Sequence, residues 1–475
     1  MPTHSTHSRR QFLRSAAALS AFGAGPANPL ALSLAGLGAL AAQSAQAADT
    51  SNGYRALVCL YLHGGSDMHN WVVPTDTANH ASYANARREL AWAAARLQPI
   101  QHTRQASGRS FGMPLELGPL RDLYEAGRAA VLANVGPLQR PVSKAEYQQG
   151  LGLPPKLFSH NDQTSAWQSL APEGAQSGWG GRMGDILMSA NAYPVFTAVS
   201  ASGNAVFLAG AQAVQYQVGS EGPVAVRGLN NSWTFGSSQL AGVLRRSLVA
   251  GAGDAYSSEY AQVMQRSLDT TATLQAALAQ TQAAALPTTA VQLGNANPVL
   301  LANDGLAKQL RMVARLIESG QRLGLRRQVF MVALGGFDTH NNQMRDQPTH
   351  MARVALSVEY FMNALGALGL QNQVTLFTAS EFGRTLVSNG DGSDHGWGSH
   401  QFVVGGAVRG REIYGQFPVT ALGTADDLGS GRLLPSTSVT QLAGDLGRWM
   451  GLNTAELGYV LPTLGNFSST PIGIL

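Results

Sequence analysis

Four apolar runs recur along the chain, and each ends close to a glycine or a serine. They are RALVCLYL (55–62), AAVLANVG (129–136), QVFMVALGG (328–336) and QVTLFTAS (373–380). Continuous apolar runs of this length are typical of strands buried on both faces of a parallel sheet. The pattern therefore predicts a large, mostly parallel central sheet.

Helical periodicity lies between these runs. Leu306, Leu310, Val313 and Ile317 fall on one face of a predicted helix, and a second helix is predicted over 351–368, just before the fourth strand. Strand–helix–strand order favours an α/β fold with helices on both faces of the sheet. We expect a single domain over residues 48–475.

Two segments interrupt this alternation. Residues 192–235 are rich in glycine and alternate in AVQYQV, which predicts a small β-type insertion. Residues 251–300 are rich in alanine and glutamine and then lose their pattern, which predicts a long exposed helix followed by a loop.

The N-terminus has the features of an export signal. Arg9 and Arg10 precede an apolar stretch that ends in SAQA, so residues 1–47 are predicted to be a cleaved twin-arginine signal peptide. The partner in export is then the twin-arginine translocase, and the destination is periplasmic or secreted. Glycines, serines, Pro26 and Pro29 interrupt the apolar stretch, so no stable membrane anchor is expected after cleavage.

Charge and cysteine content restrict the function classes. The formal charge is +4, but removal of residues 1–47 takes away three arginines and no acids, leaving 29 basic and 28 acidic residues. No basic field therefore suggests nucleic acid as a partner. Cys59 is the only cysteine, so a disulfide within the chain is impossible, and we expect it to pack as a small apolar side chain.

A short polar motif occurs twice after predicted strands. GGSDMHN (64–70) and GGFDTHN (335–341) both read Gly-Gly-x-Asp-x-His-Asn. Turn chemistry explains the glycines and asparagines but does not require Asp-x-His twice. Because the carboxyl ends of parallel strands lie along one edge of a sheet, Asp67 and Asp338 are expected to converge.

The fourth strand adds further candidate ligands. It is followed by Glu381 and Arg384, and then by DHGWGSH with Asp394, His395 and His400. Carboxylates with neutral imidazoles suit a divalent ion such as zinc, manganese or iron, whereas an all-oxygen calcium site would not need histidine. The alternative is that these are coincidental turns and hydrogen-bonded structural residues.

Eight motifs taken in order resemble one family of exported bacterial proteins. They are RRQFLR, GGSDMHN, SHNDQTSAWQ, GWGGRMGD, GGFDTHNNQ, ASEFGRT, DHGWGSH and GRLLPSTSVTQLAGDLGRWMG. The family is known only as domain of unknown function 1501 and is placed near the alkaline-phosphatase and sulfatase superfamily. The resemblance implies an alkaline-phosphatase-like α/β fold with metal ions at the carboxyl edge of the sheet.

The resemblance also implies roles for individual residues. Asp67 and Asp338 match the superfamily's metal-binding acids. The histidine expected four positions after Asp338 is Asn342 here, which leaves His340 as a candidate ligand.

Glu381 and Phe382 stand where the superfamily has an Asp-His pair, so this second site lacks an imidazole that His395 or His400 would supply.

The catalytic group is the least defined by sequence. KLFSHNDQTSAWQ places Ser159, His160 and Asp162 after the second strand, where the superfamily carries its nucleophile. Ser159 is either that nucleophile or a helix N-cap. Arg384 is expected to bind the substrate anion in a bidentate manner.

Three functions follow from this reading. The first is an exported metal-dependent hydrolase of small-molecule or polyanionic phosphate or sulfate esters. The second is a degenerate member of the superfamily that binds an anionic glycan or lipid without turnover, which Phe382 favours. The third is a secreted structural or assembly factor.

Overall fold

The computed structural model describes residues 53–475 except 225, 227, 230–232, 234–235 and 252. The predicted signal peptide, 1–47, lies outside the described residues. The strands are β1 Arg55–Leu62, β2 Val73–Pro74, β3 Leu97–Ile100, β4 Phe111–Pro114, β5 Ala129–Gly136, β6 Ala198–Ser200, β7 Tyr216–Gly219, β8 Gly222–Pro223, β9 Arg327–Leu334, β10 Val374–Ala379, β11 Arg384–Ser388, β12 Ser393–His395, β13 Ser399–Gly405, β14 Ile413–Tyr414 and β15 Thr437–Ser438.

The α-helices lie in the longer segments that connect the strands. They are α1 Thr77–Arg87, α2 Gly118–Glu125, α3 Lys144–Gln148, α4 His160–Ser169, α5 Trp179–Leu187, α6 Leu240–Leu248, α7 Ala255–Leu278, α8 Gly305–Arg322, α9 Gln343–Ala367, α10 Val439–Met450 and α11 Thr454–Val460. The four predicted strands are confirmed as β1, β5, β9 and β10, and the two predicted helices as α8 and α9.

Ten strands form one large mixed sheet. Its order is β14-β5-β13-β10-β1-β9-β6-β7-β8, with β15 beside β5. Six of its nine strand pairs are parallel, and the antiparallel pairs are β10–β13, β13–β5 and β7–β8. The mostly parallel sheet is therefore confirmed, with β13 as an antiparallel strand between two strands that share a direction.

Helices cover both faces of this sheet. On β10, Leu376 packs into a core that also contains Leu310 of α8 and Val358 of α9. The next residue, Phe377, points to the other face and contacts Trp179 of α5, with 5.4 Å between the ring centroids. Burial on both faces explains why these strands read as continuous apolar runs.

The two interrupting segments take different positions. Residues 192–235 supply β6, β7 and β8, and these strands extend the central sheet beyond β9. Residues 251–300 contain α7 and a loop with one isolated bridge between Val291 and Val299. The described residues form one compact unit, and no helix among them is both long and apolar enough to cross a membrane.

Candidate metal centre

Three neighbouring parallel strands end level with one another. β1 lies between β9 and β10, with Leu62 opposite Leu334 and Tyr61 opposite Ala379. The chain therefore leaves all three strands at the same edge of the sheet, where Asp338 follows β9 and Glu381 follows β10. This is the edge at which parallel α/β sheets bind their ligands.

Asp338 is the centre of a cluster of three imidazoles. Its Oδ1 lies 3.1 Å from Nε2 of His340 and 3.3 Å from Nε2 of His395, and its Oδ2 lies 3.5 Å from Nε2 of His160. Arg384 donates a hydrogen bond of 2.8 Å from Nη1 to Oδ1. Ligand atoms of His160, Asp338 and His395 all lie within 4.8 Å of one another, close enough to share one ion.

The other nitrogen of each ring, Nδ1, faces a carboxylate or carbonyl oxygen, which acts as a hydrogen-bond acceptor. Nδ1 lies 3.0 Å from Glu381 Oε1 in His160, 2.7 Å from the Phe158 carbonyl oxygen in His395, and 3.3 Å from Asp394 Oδ1 in His340. Each Nδ1 can therefore act as the N–H donor, which leaves the lone pair of Nε2, on the side of Asp338, available to a metal ion. Metal-bound histidines are oriented in this way.

The spacing of the Nε2 atoms has a physical consequence. Nε2 of His340 and Nε2 of His395 are 2.9 Å apart, so two lone pairs would face each other without a proton or a cation between them. With Asp338 Oδ1 these atoms form a triangle whose sides are 2.9, 3.1 and 3.3 Å. Ligands of one tetrahedral ion with bonds of ~2.0–2.1 Å lie about 3.3 Å apart. The donor set fits a zinc, manganese or iron ion.

Charges around the cluster tune these groups in different directions. The hydrogen bond from Nδ1 to Glu381 raises the pKa of His160 above its usual value, although partial burial opposes the shift. Burial lowers the pKa of His395. Burial alone would raise the pKa of Asp338, but the hydrogen bond and the charge of Arg384 outweigh it and lower this pKa. Asp338 is therefore an anion at neutral pH.

Two glycines after β1 allow the loops at this edge to approach closely. Gly64 has φ of +118°, and a Cβ there would lie 2.3 Å from the backbone nitrogen of Asp338. Gly65 has φ of +78°, and a Cβ there would lie 2.2 Å from the ring of Phe382. That ring packs on the His395 imidazole, with 4.4 Å between centroids. Glycine is therefore required at these two positions both by close packing between the loops and by the turn geometry.

Arg384 contacts protein acceptors on all sides. Its side chain is fully buried, and Nη1 donates to Asp338 and to the carbonyl oxygen of Gly64 at 3.2 Å. Nη2 donates to the Ser393 carbonyl oxygen, and Nε lies 3.4 Å from the hydroxyl of the same residue. The guanidinium predicted to bind the substrate anion is thus held by the chain and fixes the carboxylate of Asp338.

Asp67 lies outside the cluster, unlike the sequence-based prediction. Its carboxylate is buried, and Oδ2 accepts hydrogen bonds from Arg87 and from Gln343. Arg87 is the last residue of α1, so a distant helix supplies the counter-ion that a metal was expected to supply. The buried Asp67–Arg87 ion pair has no net charge, so it does not attract a cation as a free carboxylate would.

His400 also lies outside the cluster. Its Nδ1 accepts a hydrogen bond of 3.1 Å from the backbone N–H of Asn134, and its ring stacks on Phe417 at 4.4 Å. Burial holds the pKa of His400 well below its usual value, so the ring is neutral. It belongs to the core, because β13 carries it inward between β5 and β10.

Ser159 precedes helix α4, as the N-cap interpretation expected, although its side chain makes no capping hydrogen bond. Its hydroxyl instead donates to Oδ2 of Asp162 at 2.8 Å. The next residue, His160, is the first residue of the helix and belongs to the cluster.

Sequence reasoning missed two groups in this region: the side chain of His63 and the backbone carbonyl oxygen of Phe158. His63, which directly precedes the first glycine pair, lines a groove of about 500 Å³ together with His160 and Glu381. Burial lowers the pKa of His63. The position of His63 directly before the repeated motif could have indicated its role. The Phe158 carbonyl could not be predicted, because every residue has a backbone carbonyl.

A family model described as "Protein of unknown function (DUF1501)" matches residues 54–460, so the chain belongs to this family. No curated protein matches the sequence.

Two solved structures show a distant likeness to the chain. "Crystal structure of Ps i-CgsB in complex with k-i-k-neocarrahexaose" has 10% identity and a TM-score of 0.34, covering 87% of this chain and 77% of the other. "Crystal structure of PsFucS1 sulfatase from Pseudoalteromonas sp." has 10% identity and a TM-score of 0.32, covering 95% and 74%.

Proposed function

We propose that this protein is an exported, metal-dependent hydrolase of phosphate or sulfate esters. The observation that carries the proposal is the convergence of three imidazole Nε2 atoms on Asp338, while each Nδ1 faces an oxygen acceptor. Each ring can keep its proton on Nδ1 and offer the lone pair of Nε2 to an ion bound beside Asp338.

The proposed ligands of the ion are His160, Asp338, His340 and His395. When bound, the ion would act as a Lewis acid that stabilises negative charge on the ester oxygens. Glu381 and Asp394, predicted from sequence as ligands, are proposed instead to hold the rings of His160 and His340 through Nδ1.

Access to solvent favours a catalytic role over a purely structural one. The side chains of His160, Asp338 and His340 are 36%, 46% and 41% exposed, so substrate can reach the centre. Structural zinc sites are usually buried, whereas a catalytic ion keeps a position open to water or substrate, which with four protein ligands requires a fifth coordination position.

Water is the proposed nucleophile. The hydroxyl of Ser159 donates to Oδ2 of Asp162 at 2.8 Å, so its proton is already engaged by that carboxylate. In the proposed reaction, water adds to phosphorus or sulfur, the bond to the alcohol oxygen breaks, and the alcohol leaves with a proton.

Metal content and turnover test the proposal together. Mature protein prepared through its own export route should contain about one zinc, manganese or iron ion per chain by elemental analysis, and should hydrolyse an aryl phosphate or an aryl sulfate. His395→Ala should lose both the ion and turnover. His80→Gln is the matched control, because Nε2 of His80 donates to the Trp92 carbonyl oxygen, 3.1 Å away, and lies outside the cluster.

A second candidate is a protein that binds an anionic glycan or lipid without turnover. It is favoured by Arg384, whose guanidinium is already held by the chain, and by the engaged hydroxyl of Ser159. Metal-loaded protein that binds a polyanion tightly but turns over neither aryl ester would support this candidate and refute hydrolysis.

Export is proposed from the N-terminal sequence alone. Arg9→Lys combined with Arg10→Lys should leave uncleaved precursor in the cytoplasm, because the translocase reads the arginine pair. Normal accumulation of the double variant outside the cytoplasm would contradict this route.

A further inference from the structure

The groove beside the metal centre is lined mostly by uncharged side chains, many of them polar. His160 and Glu381 form both its wall and the edge of the cluster, so the groove starts where the reacting ester group would lie. Its other polar lining residues include His63, Asn161, Thr164, Gln168, Ser202 and Asn204. Amides and hydroxyls both donate and accept hydrogen bonds, which is the pattern that a hydroxyl-bearing ligand requires.

Helix α4 presents this lining in a regular way. Asn161, Thr164 and Gln168 follow at spacings of three and four residues, so they share one face of the helix that begins with His160. Such a face normally turns to bulk water or is apolar when it faces the protein. Here it faces a cavity, and Gln168 is buried there. The same helix therefore supplies one imidazole of the cluster and the lining next to it.

The charges of the groove exclude one class of substrate. No lysine or arginine lines it among the described residues, whereas Glu173 and Glu381 do. A polyanionic chain lying there would meet two carboxylates and no counter-ion, which is unfavourable in a partly enclosed site. Asn161 is exposed, and its side chain has no hydrogen-bond partner within the described part of the protein, so it can bind a ligand without breaking an internal contact.

We propose that the groove binds the alcohol part of the substrate, and that this part is an uncharged polyol such as a sugar. This inference rests on the proposed ester hydrolysis for the reacting group, but the groove's preference for a neutral polyol stands on its lining alone. It narrows the substrate from polyanionic esters to single phosphate or sulfate esters of neutral, hydroxyl-rich compounds.

A matched pair of substrates tests the inference. Glucitol 6-phosphate and 6-phosphogluconate differ in one group, a CH₂OH or a carboxylate, at the end remote from the ester, and the corresponding sulfates form a second pair. Metal-loaded mature protein should give a higher kcat/KM with the glucitol ester. Asn161→Lys should reduce that preference about two- to fivefold, since it places a cation near the remote carboxylate. Asn297→Lys, an exposed asparagine outside the groove, should leave the preference unchanged.

Binding without chemistry separates failure of this inference from failure of the hydrolase proposal. Ligand-detected NMR should show saturation transfer to free glucitol that exceeds transfer to gluconate, and Thr164→Val, which keeps the side-chain volume, should weaken it. Absence of turnover with all esters would refute hydrolysis but leave this measurement decisive. Equal or stronger binding of gluconate, or no effect of Thr164→Val and Asn161→Lys, would overturn the polyol proposal.

Discussion

The two copies of Gly-Gly-x-Asp-x-His-Asn share a sequence pattern but have opposite environments. In the first copy, Asp67 is fully buried and paired with Arg87. In the second, Asp338 is 46% exposed and is surrounded by imidazoles. The copies follow strands that are paired with Leu62 opposite Leu334, yet Asp67 lies five residues beyond Leu62 and Asp338 only four beyond Leu334. The additional residue is His63.

The histidines of the two copies differ in the same way. His69 is buried, its Nε2 lies 3.0 Å from the Arg384 carbonyl oxygen, and burial lowers its pKa to about 4. His340 is exposed, and its Nε2 lies beside Asp338 and His395. The first copy contacts the backbone of Arg384 through His69, and the second supplies the solvent-exposed Asp338 and His340 of the metal centre. Equal motifs after neighbouring strands therefore do not imply equal roles.

The largest difference is expected between the two aspartates. Asp338→Asn should weaken metal binding at least about 100-fold, because a ligand is lost while the surrounding rings remain. Asp67→Asn should keep the ion but lower the free energy of unfolding by about 3–5 kcal/mol, because it leaves Arg87 buried without its counter-ion. Metal titration and denaturant unfolding of both variants check this. Similar metal loss in both would contradict the division of roles.

The first glycines of the two copies should also differ. Gly64→Ala is expected to destabilise the fold by about 2 kcal/mol or more, because a Cβ would strike the Asp338 backbone at a positive φ. Gly335→Ala is the matched control: no heavy atom lies within 4 Å of its Cβ position, and its effect should stay within about 0.5 kcal/mol. Equal unfolding midpoints would show that the two loops do not pack together.

The orienting carboxylates sharpen the account of the second copy. Glu381→Gln and Asp394→Asn should each lower metal affinity about tenfold, since the acceptor that fixes a histidine ring is weakened. His80→Gln, at a histidine outside the cluster, serves as the control. Competition with a chelator measures the affinities, and unchanged values would mean that these acids do not orient the rings.

Metal affinity should fall at acid pH. Protons compete for Nε2 of His160, whose pKa is raised by Glu381, so binding is lost as the pH falls through that raised value. In metal-free protein, protonated His160 stabilises the fold at low pH, and this contribution is lost as the pH rises through the same pKa. Glu381→Gln should shift the acid limb of the binding curve to lower pH. A limb that does not move would contradict the assigned contact.

The smallest effect is expected at Ser159. Ser159→Ala removes a hydroxyl that donates to Asp162, and turnover should change less than about threefold if water is the nucleophile. A loss of turnover with full metal content would instead establish a covalent role for this serine.

The sequence was sufficient to predict the main strands and helices and part of the candidate site. β1 and β5 match their predicted bounds, because strands buried on both faces are marked by continuous apolar runs. The order of strands was beyond reach: nothing local predicts that β13 inserts antiparallel between β5 and β10. Parallel ends at one edge did predict the convergence of Asp338, Glu381 and His395 on one region.

The differences between the predicted site and the cluster arise from contacts between distant residues. Arg87 lies twenty positions from Asp67 on another element, so its pairing with that acid leaves no sequence signal. His400 was grouped with His395 because both follow β10, although alternation along β13 turns His400 into the core.

X-ray absorption at the edge of the bound metal tests the central claim most directly. Mature protein and Asp67→Asn should both show one ion bound by about three imidazoles and an oxygen ligand at ~2.0–2.2 Å, and Asp338→Asn should lose this signal. An ion without imidazole ligands, or one that is retained in Asp338→Asn and lost in Asp67→Asn, would contradict the assignment of the metal centre to the second copy of the motif.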